Sequence, residues 1–562
     1  MVPMRDGVKL STDIYLPARG EKAADGRFPV LVYRTPYNKA GNRTAANFFA
    51  RHGYAVLSQD VRGRFDSEGE FYAFVNEGPD GYDTIEWAAG QKWSNGKVGT
   101  IGASYLAWDQ YFAAMYRPPH LIAMFANVGG ATFFDEFGYP GGTANLGWPI
   151  WILKSAETSP QAAQDAAAKE PLTKLLNDPA PWLAQPSQKR AELFNKFPAH
   201  LKMYEDFYAH PVFDSYWKQK GFYTAGSYRE MKDVPTFFIS GWFDYFAEGV
   251  LKNFTALSRS QKTMKKLWMG PWPHGIGASS CGDASFGPDA AVKENEIALD
   301  WFDHWMKGQE FQRIGPEPVR IFRMGGGDGT RNAAHKINHG GEWITATAWP
   351  PAGTSTLKYY IRAGGVLTPE QPGNETSETF AFDPANPVPT IGGRFGIGSW
   401  TPNCAQDQIC DPKILGCTNS APLKERPDVL SFSTPPLEVP LDVTGKVRAT
   451  LWVSSDAPDT DFTAKIMDVY PDGYAMILED GQIRASYRDG RDKRHPMTPG
   501  SVYEVTVDLG SVSNRFAAGH RIRVDLSSSN YPKFEPNPHK ARNTIYHQPG
   551  RASHIELPVS AR

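Results

Sequence analysis

The hydrophobic pattern of this chain changes once, near residue 315, and this change limits the possible folds more than any other feature. Before it, short apolar runs at residues 29–34, 54–60 and 98–102 alternate with helical patterns. Such alternation is typical of a doubly wound, mostly parallel sheet covered by helices on both faces. After it, short strand patterns separated by Gly, Pro, Asn and Asp dominate. The sequence therefore predicts an α/β part followed by an all-β, jelly-roll-like sandwich.

One long segment inside the first part has no strand pattern. Residues 133–232 have helical patterns, many aromatic side chains and several Pro breaks. Buried strand patterns return at residues 234–241 and 267–270. We therefore expect three units: an α/β domain formed by residues 1–132 and 233–314, a helical cap inserted at residues 133–232, and a C-terminal β-sandwich at residues 315–562.

Composition excludes several functional classes. The 562 residues include 59 Lys+Arg and 61 Asp+Glu, so the net charge of −2 gives no long-range field that would attract nucleic acid or an anionic membrane. No apolar run approaches the roughly 20 residues that a membrane-spanning helix needs. Aromatic residues make up 13%, with 16 Trp, which favours aromatic-walled pockets. We expect a small-molecule partner and no nucleic-acid or membrane partner, and a homo-oligomer stays open.

The cysteines carry limited information. Three of the four, Cys404, Cys410 and Cys417, lie close together, whereas Cys281 is distant. Their spacing does not match a zinc site, so we expect no metal. A local disulfide of unspecified connectivity is the expectation, with buried free thiols as the alternative, and a disulfide favours export to an oxidising compartment. Residues 1–7 lack a signal-peptide pattern, which leaves open whether a leader was removed.

The strongest local signal is a strand pattern at residues 98–102, then Ala103 and Ser104, then a helical pattern. A serine on such a sharp turn exposes its hydroxyl above the sheet, near helix N–H groups that stabilise negative charge. Ser104 is therefore the candidate nucleophile, and a serine that only caps the helix is the alternative. The other Gly-x-Ser sequences, which end at Ser279 and Ser355, lack this strand and helix context.

A nucleophilic serine needs a general base and a carboxylate that orients the base. In enzymes with this kind of serine turn, the chain order is Ser, then Asp or Glu, then His, each on a loop after a strand. Asp244 follows the strand pattern that ends at Gly241, and His274 follows the one that ends at Gly270. These two residues are the candidate acid and base, and the alternative for Asp244 is a turn or cap residue. This chemistry needs no cofactor.

The developing oxyanion needs two hydrogen-bond donors. The backbone N–H of Tyr105 is one candidate. The loop at residues 34–39 has no Gly-rich donor sequence, so the Tyr37 hydroxyl is the other, with a packing tyrosine as the alternative. Aromatic residues near these positions are candidates for the pocket wall, with core packing as the alternative: Trp108, Phe133, Phe134, Trp148, Trp151, Trp242, Phe246 and Trp272.

Seven segments together resemble the cocaine esterase / Xaa-Pro dipeptidyl-peptidase family of serine hydrolases. They are MRDGVKL (4–10), RTPY (34–37), QDVRGR (59–64), GASY (102–105), GWFD (241–244), GPWPH (270–274) and RIRVDLSSSNYP (521–532). The resemblance covers essentially the whole chain. It implies an α/β-hydrolase domain, a helical cap and a jelly roll beside the active site. It also implies Ser104, Asp244 and His274 as the triad, with Tyr37 and Tyr105 as the oxyanion donors.

Two departures from the family pattern refine this expectation. Ala107 stands where the family often has a glycine, which affects packing near the turn. Phe246 and Ala247 occupy the positions where α-amino-acid ester hydrolases of the family carry acidic residues for a substrate ammonium. The sequence therefore resembles the cocaine-esterase-like branch, in which an aromatic residue there lines the acyl pocket.

The sequence therefore predicts a serine hydrolase that forms an acyl-enzyme, with carboxylesterase as the leading activity. A Xaa-Pro dipeptidyl-peptidase or a glutaryl or β-lactam-type amide acylase would use the same machinery. A glycan-binding protein with a silent hydrolase domain is the alternative from a different class.

Overall fold

The computed structural model describes residues 1–20, 22–395 and 401–560. Up to residue 132, strands and helices alternate as predicted. The strands are β1 (Val2–Pro3), β2 (Lys9–Leu10), β3 (Thr12–Tyr15), β4 (Ala18–Arg19), β5 (Lys22–Ala23), β6 (Phe28–Thr35), β7 (Ala55–Asp60), β8 (Ser94–Ala103) and β9 (Leu121–Asn127). The helices are α1 (Arg43–Arg51), α2 (Glu77–Ala89) and α3 (Tyr105–Met115).

Residues 133–232, which were predicted as the cap, are helical, and none of these residues, all of which the structure describes, belongs to a strand. Its helices are α4 (Gly147–Glu157), α5 (Pro160–Gln164), α6 (Ala166–Asn177), α7 (Ala180–Leu183), α8 (Ser187–Ala191) and α9 (Pro198–Ala209), and a π-turn lies at Phe134–Gly138. The chain then returns to the sheet through β10 (Thr236–Gly241), α10 (Ala247–Ser260), β11 (Lys265–Gly270), β12 (Ser280–Cys281), β13 (Ala284–Ser285) and α11 (Glu294–Lys307).

Apart from short 3₁₀ turns, the regular elements in the described residues after 314 are all strands. They are β14 (Val319–Gly325), β15 (Ile337–Asn338), β16 (Gly341–Ala346), β17 (Thr354–Arg362), β18 (Val366–Thr368), β19 (Glu378–Phe382), β20 (Leu430–Ser433), β21 (Leu441–Ser455), β22 (Asp461–Val469), β23 (Ala475–Arg484), β24 (Tyr503–Phe516), β25 (Arg521–Ser527), β26 (Ala541–Ile545), β27 (His547–Gln548), β28 (Arg551–Ala552) and β29 (His554–Ser560). Short 3₁₀ turns lie at Lys39–Asn42, Pro140–Gly142, Glu192–Phe194, Thr224–Gly226, Pro288–Ala290, Leu423–Glu425 and Ala485–Tyr487.

The central sheet has the order β3-β7-β6-β8-β9-β10-β11-β14-β16. Its pairs are parallel from β7 to β14, and only the two edge strands are antiparallel. Every position of β7, β10 and β11 is buried, as expected of strands with helices on both faces. This arrangement brings the carboxyl ends of β8, β10 and β11 to one edge, where ligands of such sheets bind.

The central sheet continues past residue 314, where we expected the first domain to end. Strand β14 pairs in parallel with β11, and it also pairs with β24 in the C-terminal part at Met324 and Gly325. A strand pattern alone could not reveal this, because the partner of a strand is set by contacts distant in sequence. The domain boundaries themselves stay predictions.

The C-terminal part is an antiparallel β-sandwich. The long strand β21 pairs with β24, β26 and β29, and β17 extends this layer through β29. Strand β22 pairs with β23 and β25, and β20 follows β25. The predicted fold class, an α/β-hydrolase sheet with a helical cap and a jelly-roll-like sandwich, is confirmed.

Two disulfides involve all four cysteines. Cys410 and Cys417 form the local bridge that was expected, whereas Cys404 pairs with Cys281, which is 123 residues away. The long-range bridge ties the segment after β11 to the segment before β20. Among the described residues, no helix is both long enough and apolar enough to cross a membrane, and no group of three or more His, Cys, Asp or Glu is arranged to hold a metal ion.

Candidate active site

Ser104 occupies a strained turn between β8 and α3. Its backbone angles, φ 61° and ψ −123°, lie outside the helical region, which is costly for a residue with a Cβ. Its N–H donates to the Asn127 carbonyl at 2.9 Å, which anchors the turn to β9. The Ser104 side chain makes no capping hydrogen bond to α3. The helix-cap alternative is therefore excluded by the geometry, and the hydroxyl is left available at the edge of the sheet.

His274 and Asp244 lie together on the loops that follow β11 and β10. The His274 Nδ1–H donates to Asp244 Oδ1 at 2.7 Å. The fully buried Asp244 carboxylate also accepts hydrogen bonds from the Ser240 hydroxyl at 2.7 Å and from the Phe246 N–H at 3.2 Å. Ser240 was missed in the sequence, although a polar residue inside a buried strand four residues before Asp244 was a usable signal.

The imidazole is held from its faces as well as through Nδ1. The ring of Tyr245 stacks on His274 with a centroid distance of 4.1 Å, and Phe246 contacts it edge-on at 5.6 Å. With Nδ1 bonded to the carboxylate, the Nε2 atom of the neutral ring carries the free lone pair. His274 and Ser104 line the same cavity, so the imidazole and the serine hydroxyl are both next to any substrate bound there.

The Tyr37 hydroxyl lies at the same cavity. It accepts a hydrogen bond from Trp151 Nε1 of the cap at 3.0 Å. Desolvation by the surrounding protein raises the pKa of Tyr37, although 45% of the residue is exposed. The hydrogen bond from Trp151, the nearby Ser104 hydroxyl and the attraction of Arg64 lower this pKa and offset part of the rise. At neutral pH the Tyr37 hydroxyl therefore keeps its proton and can donate a hydrogen bond.

Tyr105 is the first residue of α3, so its backbone N–H has no partner within the helix. Its side chain anchors the turn instead. The Tyr105 hydroxyl donates to Glu77 Oε1 at 2.8 Å and accepts from the Phe74 N–H at 2.8 Å. These bonds fix the start of α3 and hence the direction of its first N–H groups.

The shared cavity, called the aromatic cavity below, has a volume of about 290 Å³. Its walls combine the catalytic candidates with a belt of rings from α3, the cap and the loop after β10. The lining residues are Tyr37, Phe74, Ser104, Tyr105, Trp108, Phe133, Phe137, Trp148, Trp151, Lys154, Tyr245, Phe246 and His274.

Comparison with known proteins identifies the group to which this architecture belongs. Residues 6–276 match the model of the X-Pro dipeptidyl-peptidase (S15) family, and residues 314–556 match the X-Pro dipeptidyl-peptidase C-terminal non-catalytic domain. The cocaine esterase of Rhodococcus sp. (strain MB1 Bresler) is 34% identical over 100% of this chain and 98% of its own length. The chain belongs to the S15 family.

Solved structures share the fold across the full length of this S15-family chain. An aminopeptidase from a marine sediment archaeon, Thaumarchaeota archaeon, has a TM-score of 0.80 at 24% identity and covers 100% of this chain and 96% of its own. An α-amino acid ester hydrolase has the same TM-score and identity, with 100% and 95% covered. At this identity the two structures inform on the fold alone. The family establishes that the protein is a hydrolase, one of a group whose members act on esters and amides.

The methyl group of Ala107, where this S15-family chain departs from the expected glycine, is accommodated by a neighbouring glycine. A Cβ built on Gly102 would lie 2.4 Å from Leu106 Cβ, so the turn requires a glycine there. Ala107 is fully buried, and a Cβ on Gly129 would lie 2.7 Å from the Ala107 methyl. The methyl at Ala107 therefore fits because residue 129 has no side chain.

Five of the eight aromatic residues proposed for the pocket line the aromatic cavity, and three do not. Those that line it are Trp108, Phe133, Trp148, Trp151 and Phe246. Phe134 packs against Tyr139 within the cap, and so the expectation for it is corrected. Trp242 and Trp272 are also corrected, because each is fully buried and donates its indole N–H to backbone carbonyls, Phe322 O for Trp242 and Ala278 O for Trp272.

Four lining residues were not singled out in the sequence. They are Phe74, Phe137, Lys154 and Tyr245. The sequence could have predicted that Lys154 lies at the cavity, because it follows Trp148 and Trp151 at a helical spacing of three along α4. Its ammonium makes no hydrogen bond or ion pair with any residue that the structure describes.

A second cavity, called the polar cavity below, lies between the cap, α10 and the β-sandwich. Its volume is about 800 Å³, and Tyr245 lines it as well as the aromatic cavity. Ion pairs fix three of its cationic side chains. They are Arg394–Glu479 at 2.6 Å, Lys446–Asp508 at 2.6 Å and Lys533–Asp480 at 2.7 Å.

Proposed function

We propose that this protein hydrolyses carboxylic esters, with Ser104 as nucleophile, His274 as general base and Asp244 as the carboxylate that orients the base. The observation that carries the proposal is the position of Ser104. It lies on a strained turn, its hydroxyl makes no capping bond to α3, and it lines the cavity that also holds His274, whose Nδ1 is bonded to a buried carboxylate. We assign this chemistry to residues 1–132 and 233–314, with residues 133–232 as the cap and residues 315–562 as the supporting sandwich.

The reaction proceeds in two half-reactions. His274 Nε2 takes the Ser104 proton as the serine oxygen attacks the ester carbonyl, and the imidazolium is stabilised by Asp244. The Tyr37 hydroxyl and the Tyr105 N–H donate to the resulting oxyanion. The intermediate collapses to an acyl-enzyme, and His274 gives its proton to the departing alcohol. Water then repeats the cycle on the acyl-enzyme, which releases the acid and restores Ser104.

The charge of the aromatic cavity favours an ester hydrolase over a dipeptidyl-peptidase. A dipeptidyl-peptidase must accept the ammonium group of a peptide N-terminus, which a carboxylate would recognise. Among the described lining residues there is no carboxylate, and Lys154 adds a positive charge instead. Glu136 lies beyond the wall, in the polar cavity, and burial raises its pKa to about 8.

The direct test replaces Ser104 by alanine and measures turnover of p-nitrophenyl butyrate. We expect Ser104→Ala to lower kcat by about 10³-fold or more, with an unchanged melting temperature. Ser355→Ala is the matched control, because Ser355 also ends a Gly-x-Ser sequence, and it keeps full activity. A fluorophosphonate probe should label the wild type at Ser104. Wild-type turnover by Ser104→Ala would refute the proposal.

A second arm compares p-nitrophenyl butyrate with Ala-Pro-p-nitroanilide and with an N-acyl amide. We expect kcat/KM to be highest for the ester. A preference for the dipeptide substrate, again dependent on Ser104, would instead assign the peptidase activity to the same machinery.

A further inference from the structure

Arg64 is a buried cation that joins two distant segments behind the aromatic cavity. Only 1% of its surface is exposed. Its Nε–H donates to the Pro36 carbonyl at 2.9 Å, and its Nη1–H donates to the Ser155 carbonyl at 2.8 Å. Its Nη2–H donates to the Thr158 hydroxyl at 2.7 Å. One guanidinium thus binds the loop after β6 and the end of α4 in the cap.

No carboxylate neutralises this cation. In residues 1–20, 22–395 and 401–560, Arg64 forms no ion pair, and the rings of Phe65 and Phe71 each lie 5.1 Å from its guanidinium. Asp60, a carboxylate that interacts with Arg64, is already paired with Lys39 at 3.0 Å. Burial lowers the pKa of Arg64 to about 10, so the group stays charged at neutral pH. A buried charge without a counter-ion is expensive, and so it needs a function that offsets the cost.

Both segments that Arg64 binds support the Tyr37 hydroxyl. Pro36 directly precedes Tyr37, and α4 carries Trp151, whose indole N–H donates to that hydroxyl. The positive charge of Arg64 also acts on Tyr37 directly, because its attraction lowers the pKa of the Tyr37 hydroxyl. A hydroxyl with a more acidic proton is a stronger hydrogen-bond donor to a developing oxyanion.

We propose that Arg64 is a positioning residue for the oxyanion site: it fixes the Tyr37 hydroxyl from both sides and polarises it toward the substrate oxygen. This inference rests on the proposed function. The negative charge that the resting protein lacks near Arg64 develops on the substrate only in the transition state. Arg64 therefore stabilises the transition state more than the bound ester, and it affects kcat more than KM.

The experiment compares Arg64→Met, Arg64→Lys and Arg190→Met with p-nitrophenyl butyrate as substrate. We expect Arg64→Met to lower kcat by roughly 30- to 100-fold, with KM within about twofold. Arg64→Lys keeps the charge but not the three-way geometry, so its kcat should lie between those of Arg64→Met and the wild type. Arg190, also fully buried, lies in the cap and pairs with Glu535, so Arg190→Met controls for loss of a buried arginine and keeps kcat.

A double-mutant cycle separates this role from general stabilisation. If Arg64 acts through Tyr37, then Arg64→Met should add little to the loss in kcat of Tyr37→Phe. Thermal melting checks that each variant is folded. If Arg64→Met does not fold, Arg64→Lys replaces it in the cycle. Additive losses in the cycle, or wild-type kcat in a folded Arg64→Met variant beside an inactive Ser104→Ala, would overturn the inference while leaving the proposed function intact. Wild-type turnover by Ser104→Ala would instead end the proposed function.

Discussion

The two cavities that meet at Tyr245 handle charge in opposite ways. The polar cavity is the larger, at about 800 Å³, and ion pairs with Asp480, Asp508 and Glu479 fix three of its cations. The aromatic cavity is about 290 Å³, and the polar groups on its wall, such as Ser104 and Lys154, keep unused hydrogen-bonding capacity. A buried charge is tolerated when a counter-ion is present. Polar groups without protein partners are typical of sites where a ligand supplies the missing hydrogen bonds. The contrast supports the proposal that catalysis takes place in the aromatic cavity, whereas the ion pairs of the polar cavity stabilise the sandwich.

The largest effect should come from Asp244, which binds His274, a residue that lines the aromatic cavity. Asp244→Asn can no longer accept the His274 Nδ1–H as a carboxylate does, so the imidazole loses its orientation and its stabilised charged form. We expect kcat for p-nitrophenyl butyrate to fall by about 10⁴-fold. Asp508→Asn, in the polar cavity, is the control that keeps kcat. If both variants lose activity equally, the functional contrast between the cavities is wrong.

In the polar cavity the corresponding change should affect stability instead. Burial alone would raise the pKa of Asp480, but the charge and hydrogen bond of Lys533 bring that pKa below its ordinary value. Lys533→Met leaves the buried carboxylate without its counter-ion, which should lower the free energy of unfolding by about 3–5 kcal/mol. Urea denaturation measures this loss, and kcat of the folded variant should stay within about twofold.

Lys252→Met is the matched control for this change. Lys252 lines the same cavity but is exposed and forms no ion pair with the described residues. Its replacement should change the free energy of unfolding by no more than about 0.5 kcal/mol. A fall in kcat for Lys533→Met, with Lys252→Met unaffected, would mean that the polar cavity takes part in the reaction.

A smaller effect should follow from the charge of Lys154. Butyrylcholine carries a cation that Lys154 repels, whereas 3,3-dimethylbutyl butyrate has the same shape and no charge. Lys154→Met should raise kcat/KM for butyrylcholine by roughly threefold and leave the neutral ester unchanged, because partly exposed charges interact weakly. The gain should shrink at high salt. Lys174→Met removes a charge from the cap surface and should change neither substrate; an equal gain there would point to net charge alone.

The last effect concerns Glu136, the carboxyl that lies between the two cavities. A Cβ built on Gly130 would touch Glu136 Oε2, Trp108 and Phe246 together, so Glu136 lies behind the aromatic wall. Burial raises its pKa from 4.5 to about 8, only partly countered by the N–H groups of Ala131 and Thr132. Between these values the folded state binds more protons than the unfolded state, so the free energy of unfolding falls as pH rises from about 4.5 to about 8.

Glu136→Gln removes this dependence while it keeps the shape of the side chain. Relative to wild type, the variant should gain melting temperature at pH 9 and gain little or lose at pH 5. Thermal melts at the two pH values measure the difference. A gap between wild type and Glu136→Gln that does not depend on pH would show that Glu136 is already ionised at pH 5.

The parts that the sequence predicted are those that depend on local pattern and chain order. Alternating apolar runs predicted the parallel sheet, and the order of Ser104, Asp244 and His274 predicted that they would lie at one edge of it. Ring orientation is different, because it depends on partners far along the chain. Trp242 turns away from the aromatic cavity toward the carbonyl of Phe322 in β14. The continuation of the sheet into β14 and the pairing of Cys404 with Cys281 were hidden for the same reason.

Arg64 shows the same limit in the site itself. The sequence places it in a Gly-containing turn after β7, and nothing local indicates that its partners are Pro36, Ser155 and Thr158. A cation that is both buried and unpaired can be recognised only when all three segments are seen together. The catalytic roles of Ser104, Asp244, His274, Tyr37 and Tyr105 stay predictions until the variants are measured.

The hydrogen bond from Trp151 to Tyr37 makes α4 of the cap a part of the proposed oxyanion site. Any movement that swings α4 outward to admit a bulky ester also withdraws the indole from the phenol. Substrate entry and bond cleavage would then require different positions of α4. While α4 is displaced, Tyr37 lacks its bond from Trp151, and the oxyanion site beside Ser104 is incomplete. If esters enter in this way, selectivity depends on which esters allow α4 to return to the position in which Trp151 binds Tyr37.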